Sequence, residues 1–241
     1  MSNTADEHDP DALAEALARY VFQIGMPSFN TYLETISEFL KTEAKKHLED
    51  IDHLREQIRS GKRTPEDKPG EMPWEEQYEQ HVDFLIGEIE EFENILLKSF
   101  FVTIYSFLEE HLTGRCLRVK NQDNLAVLSW SKWKKKNEGP TIKKALLYLI
   151  TTQQINPSPE HSTEWKEILC YVHLRNCIVH NEGRVEDDSE KELKECISQE
   201  KSNLSLNEQN IVLTKEFCKS AWKTIEEFLW LISKAEIQSK E

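Results

Sequence analysis

Hydrophobic residues recur every three or four positions along most of the chain, which is the spacing of amphipathic α-helices. The first such stretch covers residues 11–24 and is predicted to end at Gly25-Met26-Pro27, because glycine and proline stop helices. A second predicted helix of about 30 residues starts from an N-cap at Ser28 and ends at Ser60-Gly61. Residues 61–73 contain three prolines and two glycines, and we predict a linker there.

A further long helix is predicted from Trp74, with apolar residues near heptad spacing up to Leu96. We expect the two long helices to pair as an antiparallel hairpin, forming an arm that continues to about residue 95. From Phe100 the helix is apolar almost all round, so it is expected to enter a crowded core. The predicted organisation is N-terminal helices with a linker over 1–73, followed by a helical domain over 74–241.

The remaining pattern predicts shorter elements, all but one of them helical. Four helices are expected, over 124–136, 140–151, 162–183 and 217–232, with a loop at 154–163. Residues 186–202 are charged and only weakly patterned. Apolar residues on either side of Asn207-Glu-Gln-Asn210 indicate a small β-hairpin. The predicted fold is therefore an all-α bundle with one small hairpin.

The composition agrees with long helices. Glycine (7) and proline (8) are scarce in 241 residues, and these residues build turns. The longest strongly apolar run without charge, Ser99 to Leu108, has ten residues, about half of what a bilayer requires. The first residues are acidic, unlike a secretory signal peptide. We therefore expect a cytoplasmic protein that does not contact a membrane.

Cysteine usage points to the same compartment. The five cysteines are odd in number and include no Cys-x-x-Cys pair. Their positions are Cys116, Cys170, Cys177, Cys196 and Cys218. We expect reduced thiols, and the sequence predicts no cofactor.

One segment is dense in residues that can do chemistry, whereas the common motifs of nucleotide-binding proteins, zinc proteases and serine hydrolases are absent. Its polar members are Cys170, His173, Arg175, Asn176, Cys177 and His180. A first hypothesis is metal binding, since four of them share one helical face. However, the ten residues from Cys170 to His180 span about 15 Å of helix, so they cannot surround one ion. We predict no metal site.

A second hypothesis is purely structural. Histidines and arginines on the polar face of a core helix often pair with carboxylates and do no chemistry. Glu109 and Glu110 are expected to serve in such pairs with an arginine rather than to line a groove.

A third hypothesis is a nuclease site. Arg175 and His180 lie about 140° apart on an ideal helix, at the two rims of one apolar stripe. The stripe consists of Trp165, Ile168, Leu169, Val172 and Val179. If it packed against its own two-fold copy, two arginines and two histidines would converge in a groove. Arginine would hold a phosphate and histidine would move a proton while the RNA 2′-hydroxyl attacks, without a metal. Asn176, four residues before His180, is expected to orient the imidazole.

The run Arg175-Asn176-Cys-Ile-Val-His180 resembles the signature of the HEPN superfamily, which is arginine, a polar residue, three or more residues and histidine. The helix around Tyr105–Leu112, the hairpin and the closing helix are also similar, so the resemblance covers about residues 95–236. It implies a helical bundle, frequently dimeric, and in active members a metal-independent ribonuclease of toxin, antiphage or RNA-processing systems. It implies that Arg175 binds the scissile phosphate, His180 acts as acid or base, and Asn176 orients. Glu182 stands where a toxin subgroup has a tyrosine that is adenylylated.

The charge distribution suggests where RNA would bind. The chain carries a net charge of −14, but the segment Leu112–Ala145 carries +7. Within that segment tryptophan and lysine alternate, which suits single-stranded RNA. The candidate RNA-binding residues are Lys132, Trp133, Lys134, Lys135 and Lys136. The alternative is a solvated lysine face with tryptophans in the core.

The sequence thus predicts a homodimeric endoribonuclease of the HEPN type that cleaves RNA at a composite arginine and histidine site. Such an enzyme would act as a toxin or antiphage effector and would be controlled by a regulatory or antitoxin protein. The alternative is a non-catalytic HEPN-like module that dimerises or binds nucleotides within a larger assembly.

Overall fold

The computed structural model describes residues 10–60, 74–119, 128–152, 154–185, 191–199 and 203–238. Seven α-helices lie in these ranges: α1 (Pro10–Arg59), α2 (Trp74–Arg118), α3 (Trp130–Lys136), α4 (Thr141–Thr151), α5 (Thr163–His180), α6 (Lys191–Gln199) and α7 (Lys215–Gln238). Strands β1 (Leu204–Asn207) and β2 (Asn210–Leu213) form an antiparallel hairpin in the predicted place. The expected all-α fold with a small hairpin is confirmed.

The predicted break at Gly25-Met26-Pro27 is wrong, because α1 runs through these residues as one helix of 50 residues. A proline inside a helix removes one backbone hydrogen bond, but its own φ angle is helical. The sequence keeps the helical spacing of hydrophobic residues on both sides of the proline, which favours one continuous helix. The predicted lead-in at 1–9, the linker at 61–73 and the start of the helix at 124–127 lie outside the described residues.

The chain divides into two compact units, the first of which is residues 29–97, contributed by α1 and α2. On α1, Leu33, Ser37 and Leu40 are buried at spacings of four and three, as an amphipathic helix requires. The antiparallel pairing of the two helices stays a prediction. The second unit contains residues 1–28 and 98–241.

The core of the second unit begins where the sequence pattern changes. Phe101, Ile104 and Leu108 on α2 are fully buried, as expected for a helix that is apolar nearly all round. Phe101 packs edge-on against Tyr171 of α5 and also contacts the ring of Phe217 at the start of α7. These contacts join α2, α5 and α7 around one core.

Two elements of this unit differ from expectation. A 3-10 turn, Ser158–His161, interrupts the predicted loop at 154–163. The weakly patterned region contains α6, which buries only Leu193 and Cys196 among its described side chains. Because two inward residues three positions apart make a faint signal, the periodicity did not identify this helix.

The expectation that all cysteines are reduced is wrong, since Cys170 and Cys196 form a disulfide between α5 and α6. Their Cα atoms are 5.6 Å apart, a normal distance for a bridged pair. The packing of two helices brings the residues together across 26 positions, so their spacing in the chain carries no sign of it. Cys116, Cys177 and Cys218 are buried and are not part of a disulfide.

None of the helices in the described part of the chain is long and apolar enough to cross a membrane.

Candidate functional site

Helix α5 carries all three candidate catalytic residues, and its first turn is capped by Ser162. The hydroxyl of Ser162 accepts a hydrogen bond from the backbone N–H of Trp165 at 3.1 Å. This bond satisfies one of the N–H groups that the first turn leaves without a helical partner. The helix then ends at His180, so the candidate pair occupies its last two turns.

The apolar stripe of α5 does not form a surface for a second copy. Trp165, Ile168 and Val172 are buried within the chain's own unit, and Trp165 stacks on Phe228 of α7 at 5.2 Å between ring centroids. The expectation that the whole stripe packs on a two-fold copy is therefore wrong, because α7 already covers it. Only Val179, with 43% of its surface exposed, remains open near the end of the stripe.

Arg175 lies at the edge of this core and is half-buried. Its Nη1 donates a hydrogen bond to Oδ1 of Asn176 at 3.1 Å, whereas its buried Nε has no hydrogen-bond acceptor in the described part of the chain. We expected Asn176 to orient His180, but in the structure its amide oxygen holds Arg175 instead. The long arginine side chain can reach its neighbour, whereas His180 projects into solvent one turn further along.

Two residues of α2 contribute to the electrostatics around Arg175. Burial is the main cause of a raised pKa of the Tyr105 phenol, the nearby Glu109 carboxylate raises this pKa further, and the Arg175 guanidinium lowers it. Tyr105 is therefore a neutral hydroxyl at physiological pH. The arginine thus shares its surroundings with one phenol and one carboxylate from another helix.

His180 is exposed in the last turn of α5, beside the exposed side chains of Asn176 and Val179. Five residues of helix separate it from Arg175, a rise of about 7.5 Å with a rotation of about 140°. One helix therefore does not direct both side chains at a single phosphate. The guanidinium of Arg175 can bind an anion. The imidazole of His180 can exchange a proton with a molecule that binds at this surface.

The chain just after His180 is tied to the hairpin. Gly183, at a φ of +82°, accepts a hydrogen bond from the N–H of Ile211, and the N–H of Val185 donates to the carbonyl oxygen of Gln209. The side chain of Lys98 lies against Gly183 so closely that an added Cβ would sit 2.7 Å from its Nζ. These contacts fix the end of α5 and so the backbone that carries His180.

The candidate RNA-binding residues lie on α3, which packs against α4. Lys132, Lys134, Lys135 and Lys136 are exposed, but Trp133 is half-buried with its ring 5.7 Å from that of Tyr148. The indole N–H of Trp133 is buried and has no acceptor among the described residues. The lysines are open to an anionic ligand, whereas the tryptophan offers at most part of its ring.

Of the four residues considered for metal binding (Cys170, His173, Cys177 and His180), the two cysteines have other roles. Cys170 is in the disulfide, and the buried Cys177 thiol donates to the carbonyl oxygen of Arg184 at 3.3 Å. Over the residues that the structure describes, no group of three or more histidine, cysteine, aspartate or glutamate side chains is placed to hold a metal ion.

Sequence reasoning assigned no role at the site to Tyr105 or Lys98. Tyr105 and Glu109 are four residues apart, so they share one face of α2, and this spacing is the signal that places them together. No comparable signal exists for Lys98, because its contact with Gly183 depends on the packing of α2 against the end of α5.

Comparisons of the chain with family models, curated proteins and solved structures find no match.

Proposed function

We propose that the protein is a metal-independent endoribonuclease whose site combines Arg175 of one copy with His180 of a second copy. The observation that carries this proposal is the state of the two side chains. The guanidinium donates a hydrogen bond to Asn176 at the edge of the core, whereas His180 is exposed in the last turn of the same helix. A fixed cation suits phosphate binding, and an exposed imidazole suits proton transfer.

The second copy follows from the separation of the pair around the helix. Since the two side chains diverge by about 140°, two copies of α5 must meet for an arginine and a histidine to reach one phosphate. Val179, an exposed apolar residue next to His180, supports a contact at this end of α5. The contact surface is then the exposed strip of Asn176, Val179 and His180, rather than the whole stripe.

The chemistry needs no metal because RNA supplies its own nucleophile. His180 removes the proton of the 2′-hydroxyl, or protonates the leaving 5′-oxygen, while Arg175 stabilises the charge of the phosphate. The exposed lysines of α3 would hold the RNA backbone. Because RNA is found there, we assign the activity to the cytoplasm. A role as a toxin or antiphage effector with an antitoxin partner fits such an activity.

The test is incubation of the purified full chain with end-labelled single-stranded RNA in excess EDTA. We expect fragments with 2′,3′-cyclic phosphate and 5′-hydroxyl ends, and no cleavage of the same sequence in DNA, which lacks the nucleophile. Equal cutting of DNA, or a strict need for Mg²⁺, would contradict this chemistry. Binding of RNA with no cleavage would favour the non-catalytic module instead.

A further inference from the structure

A cavity of about 230 Å³ lies between α5, α6, β1 and the start of α7, all within the unit 98–241. Its walls are mostly apolar, and both cysteines of the disulfide contribute to them. The lining residues on α5 are Thr163, Lys166, Glu167, Cys170, Tyr171 and Leu174, and those on the other elements are Leu193, Cys196, Leu204 and Phe217. The disulfide is therefore reached from a cavity and is not sealed in the core.

The other cysteines of the chain are in a different state. Burial raises the pKa values of Cys116 and Cys218 to about 12, and Cys177 is buried with its thiol bonded to a carbonyl oxygen. Such thiols are inert, because the thiolate is the reactive form. Of the five cysteines, only Cys170 is not fully buried.

We propose that this cavity is a thiol–disulfide exchange site, in which a small-molecule thiol forms a mixed disulfide with Cys170. This inference goes beyond the proposed ribonuclease and does not depend on it.

The exchange conserves atoms and electrons. The thiolate of the small molecule attacks Sγ of Cys170, the bond between Cys170 and Cys196 breaks, and its electron pair leaves with Sγ of Cys196, which then takes a proton from water. A second molecule of the same thiol can attack the mixed disulfide. Its thiolate displaces Cys170 from the mixed disulfide and forms the symmetrical disulfide of the small molecule. Two electrons have then passed to the protein, and both cysteines are reduced.

Exposure and charge favour attack at Cys170. Cys170 is half-buried, whereas Cys196 is only 7% exposed. Lys166, one turn before Cys170 on α5, is exposed and lines the cavity, so its ammonium group favours an incoming thiolate. The carboxylate of Glu167 accepts a hydrogen bond from Thr224 of α7 at 2.7 Å, which ties it to the neighbouring helix.

The size of the cavity limits the thiols that can enter. A volume of about 230 Å³ equals that of roughly eight water molecules in the liquid. A thiol of the size of cysteine or 2-mercaptoethanol fits inside, and we expect a thiol on the surface of a folded protein to reach Cys170 more slowly.

Opening the disulfide would release α6. This helix has nine residues, fewer than a helix needs to persist alone in water. Leu193 is then the one described side chain of α6, other than Cys196, that is buried. The state of the disulfide therefore controls how firmly α6 is held to α5, the helix of the candidate site.

The first experiment uses the wild-type chain purified in air without reductant. Trypsin separates the five cysteines onto five peptides, which are 116–118, 167–175, 176–184, 195–201 and 216–219. We expect peptides 167–175 and 195–201 to be joined. After treatment of the folded protein with 2-mercaptoethanol, an adduct should appear on 167–175 and not on 195–201, which would carry it if Cys196 were the sulfur attacked. Absence of the joined pair would overturn the proposal.

The second experiment compares thiols of different size on the folded protein. Reduced thioredoxin should open the disulfide at least about tenfold more slowly than 2-mercaptoethanol at equal thiolate concentration, because it cannot enter the cavity. Equal rates would contradict a cavity route. The cavity route would also be contradicted if the disulfide opened no faster than Cys218 is labelled, because Cys218 becomes accessible only on unfolding.

A cavity-filling variant adds an independent test. Leu204→Trp should slow opening by 2-mercaptoethanol several-fold, whereas the control Leu206→Trp, on the same strand but 37% exposed, should not change it. Circular dichroism checks that both variants fold. If Leu204→Trp does not fold, the proposal is tested instead by amide hydrogen exchange of residues 191–199 in the wild-type protein. It should rise on treatment with the small thiol while exchange in α7 stays unchanged, and unchanged exchange in 191–199 would contradict the release of α6.

Discussion

The two residues at the centre of the proposed site are held in different ways. Arg175 has one nitrogen bonded to Asn176 and one buried without a partner, so the core limits its motion. His180, in contrast, is exposed. A phosphate-binding group at the edge of the core and an exposed proton carrier suit a reaction in which the substrate arrives between two protein copies.

His180→Ala and Arg175→Ala should each lower RNA cleavage by about 10²- to 10⁴-fold, the usual contribution of proton transfer or charge stabilisation. Neither residue is part of the core, so the free energy of unfolding should fall by less than about 2 kcal/mol. Initial cleavage rates and urea unfolding measure the two effects.

Two exposed residues serve as matched controls. His161→Ala and Arg59→Ala remove the same side chains at positions outside the site and should leave cleavage unchanged. Wild-type activity in His180→Ala would remove the site assignment.

The buried thiols make stability depend on alkaline pH. The pKa of Cys116 and of Cys218 rises from 9.0 to about 12 in the folded chain, so these thiols stay protonated while those of the unfolded chain ionise. The unfolded state loses protons first, and the free energy of unfolding therefore falls as the pH rises above about 9. By pH 10 the loss should be about 1.4 kcal/mol for each thiol relative to pH 8.

Urea unfolding at pH 8 and pH 10 measures this loss, and Cys218→Ala should reduce it by about 1.4 kcal/mol. Cys170 and Cys196 do not contribute while they are bridged. An equal loss in the variant and in the wild type would show that the thiol at 218 is not the cause.

At the scale of the elements, the two ends of α5 were predicted better than its surroundings. Ser162 and Gly183 are recognisable because capping and left-handed backbone each demand particular residues. The cover of the stripe by α7 was not predictable, since an apolar face looks the same whether its partner is in the same chain or in another. The predicted helix end at Pro27 was wrong for a different reason. The local signal of the proline was outweighed by the long helical pattern on both sides of it.

Gly183→Ala should lower the free energy of unfolding by about 1–2 kcal/mol, because residues with a Cβ resist a φ of +82°. Lys98 must also move to make room. The matched control is Gly114→Ala near the C-terminal end of α2, where no neighbouring atom lies within 4 Å of the added Cβ. That change should be stabilising, by up to about 1 kcal/mol. The midpoints of thermal unfolding of the two variants should shift in opposite directions. Equal shifts would contradict the role of the left-handed backbone at Gly183.

At the scale of the whole molecule, the proposed activity belongs to an assembly rather than to one chain. The exposed strip at the end of α5 is narrow, because α7 covers most of the apolar residues that the sequence offered for dimerisation. Sequence alone predicted the arginine, the histidine and their divergence. It could not predict how much of the surface between them remains free, since that depends on the packing of a helix 40 residues further along.

Mixing Arg175→Ala with His180→Ala should restore activity, because each mixed dimer regains one site with both groups. Random exchange of subunits should give about a quarter of the wild-type rate, since half the dimers are mixed and each has one complete site of two. The double variant Arg175→Ala/His180→Ala is the control, and mixed with either single variant it should restore nothing. A wild-type chain that cleaves RNA at full rate as a monomer by light scattering would contradict the composite site.

The hairpin turn limits how the sequences of related proteins can differ from this one. Its two residues, Glu208 and Gln209, form the kind of exposed tip at which insertions are usually accepted. Here, however, Gln209 bonds the backbone of Val185 through its carbonyl oxygen and the side chain of Arg184 through its amide oxygen. One added residue would displace both bonds and with them the end of α5. We therefore expect relatives of this protein to keep the length of this turn fixed while its sequence varies.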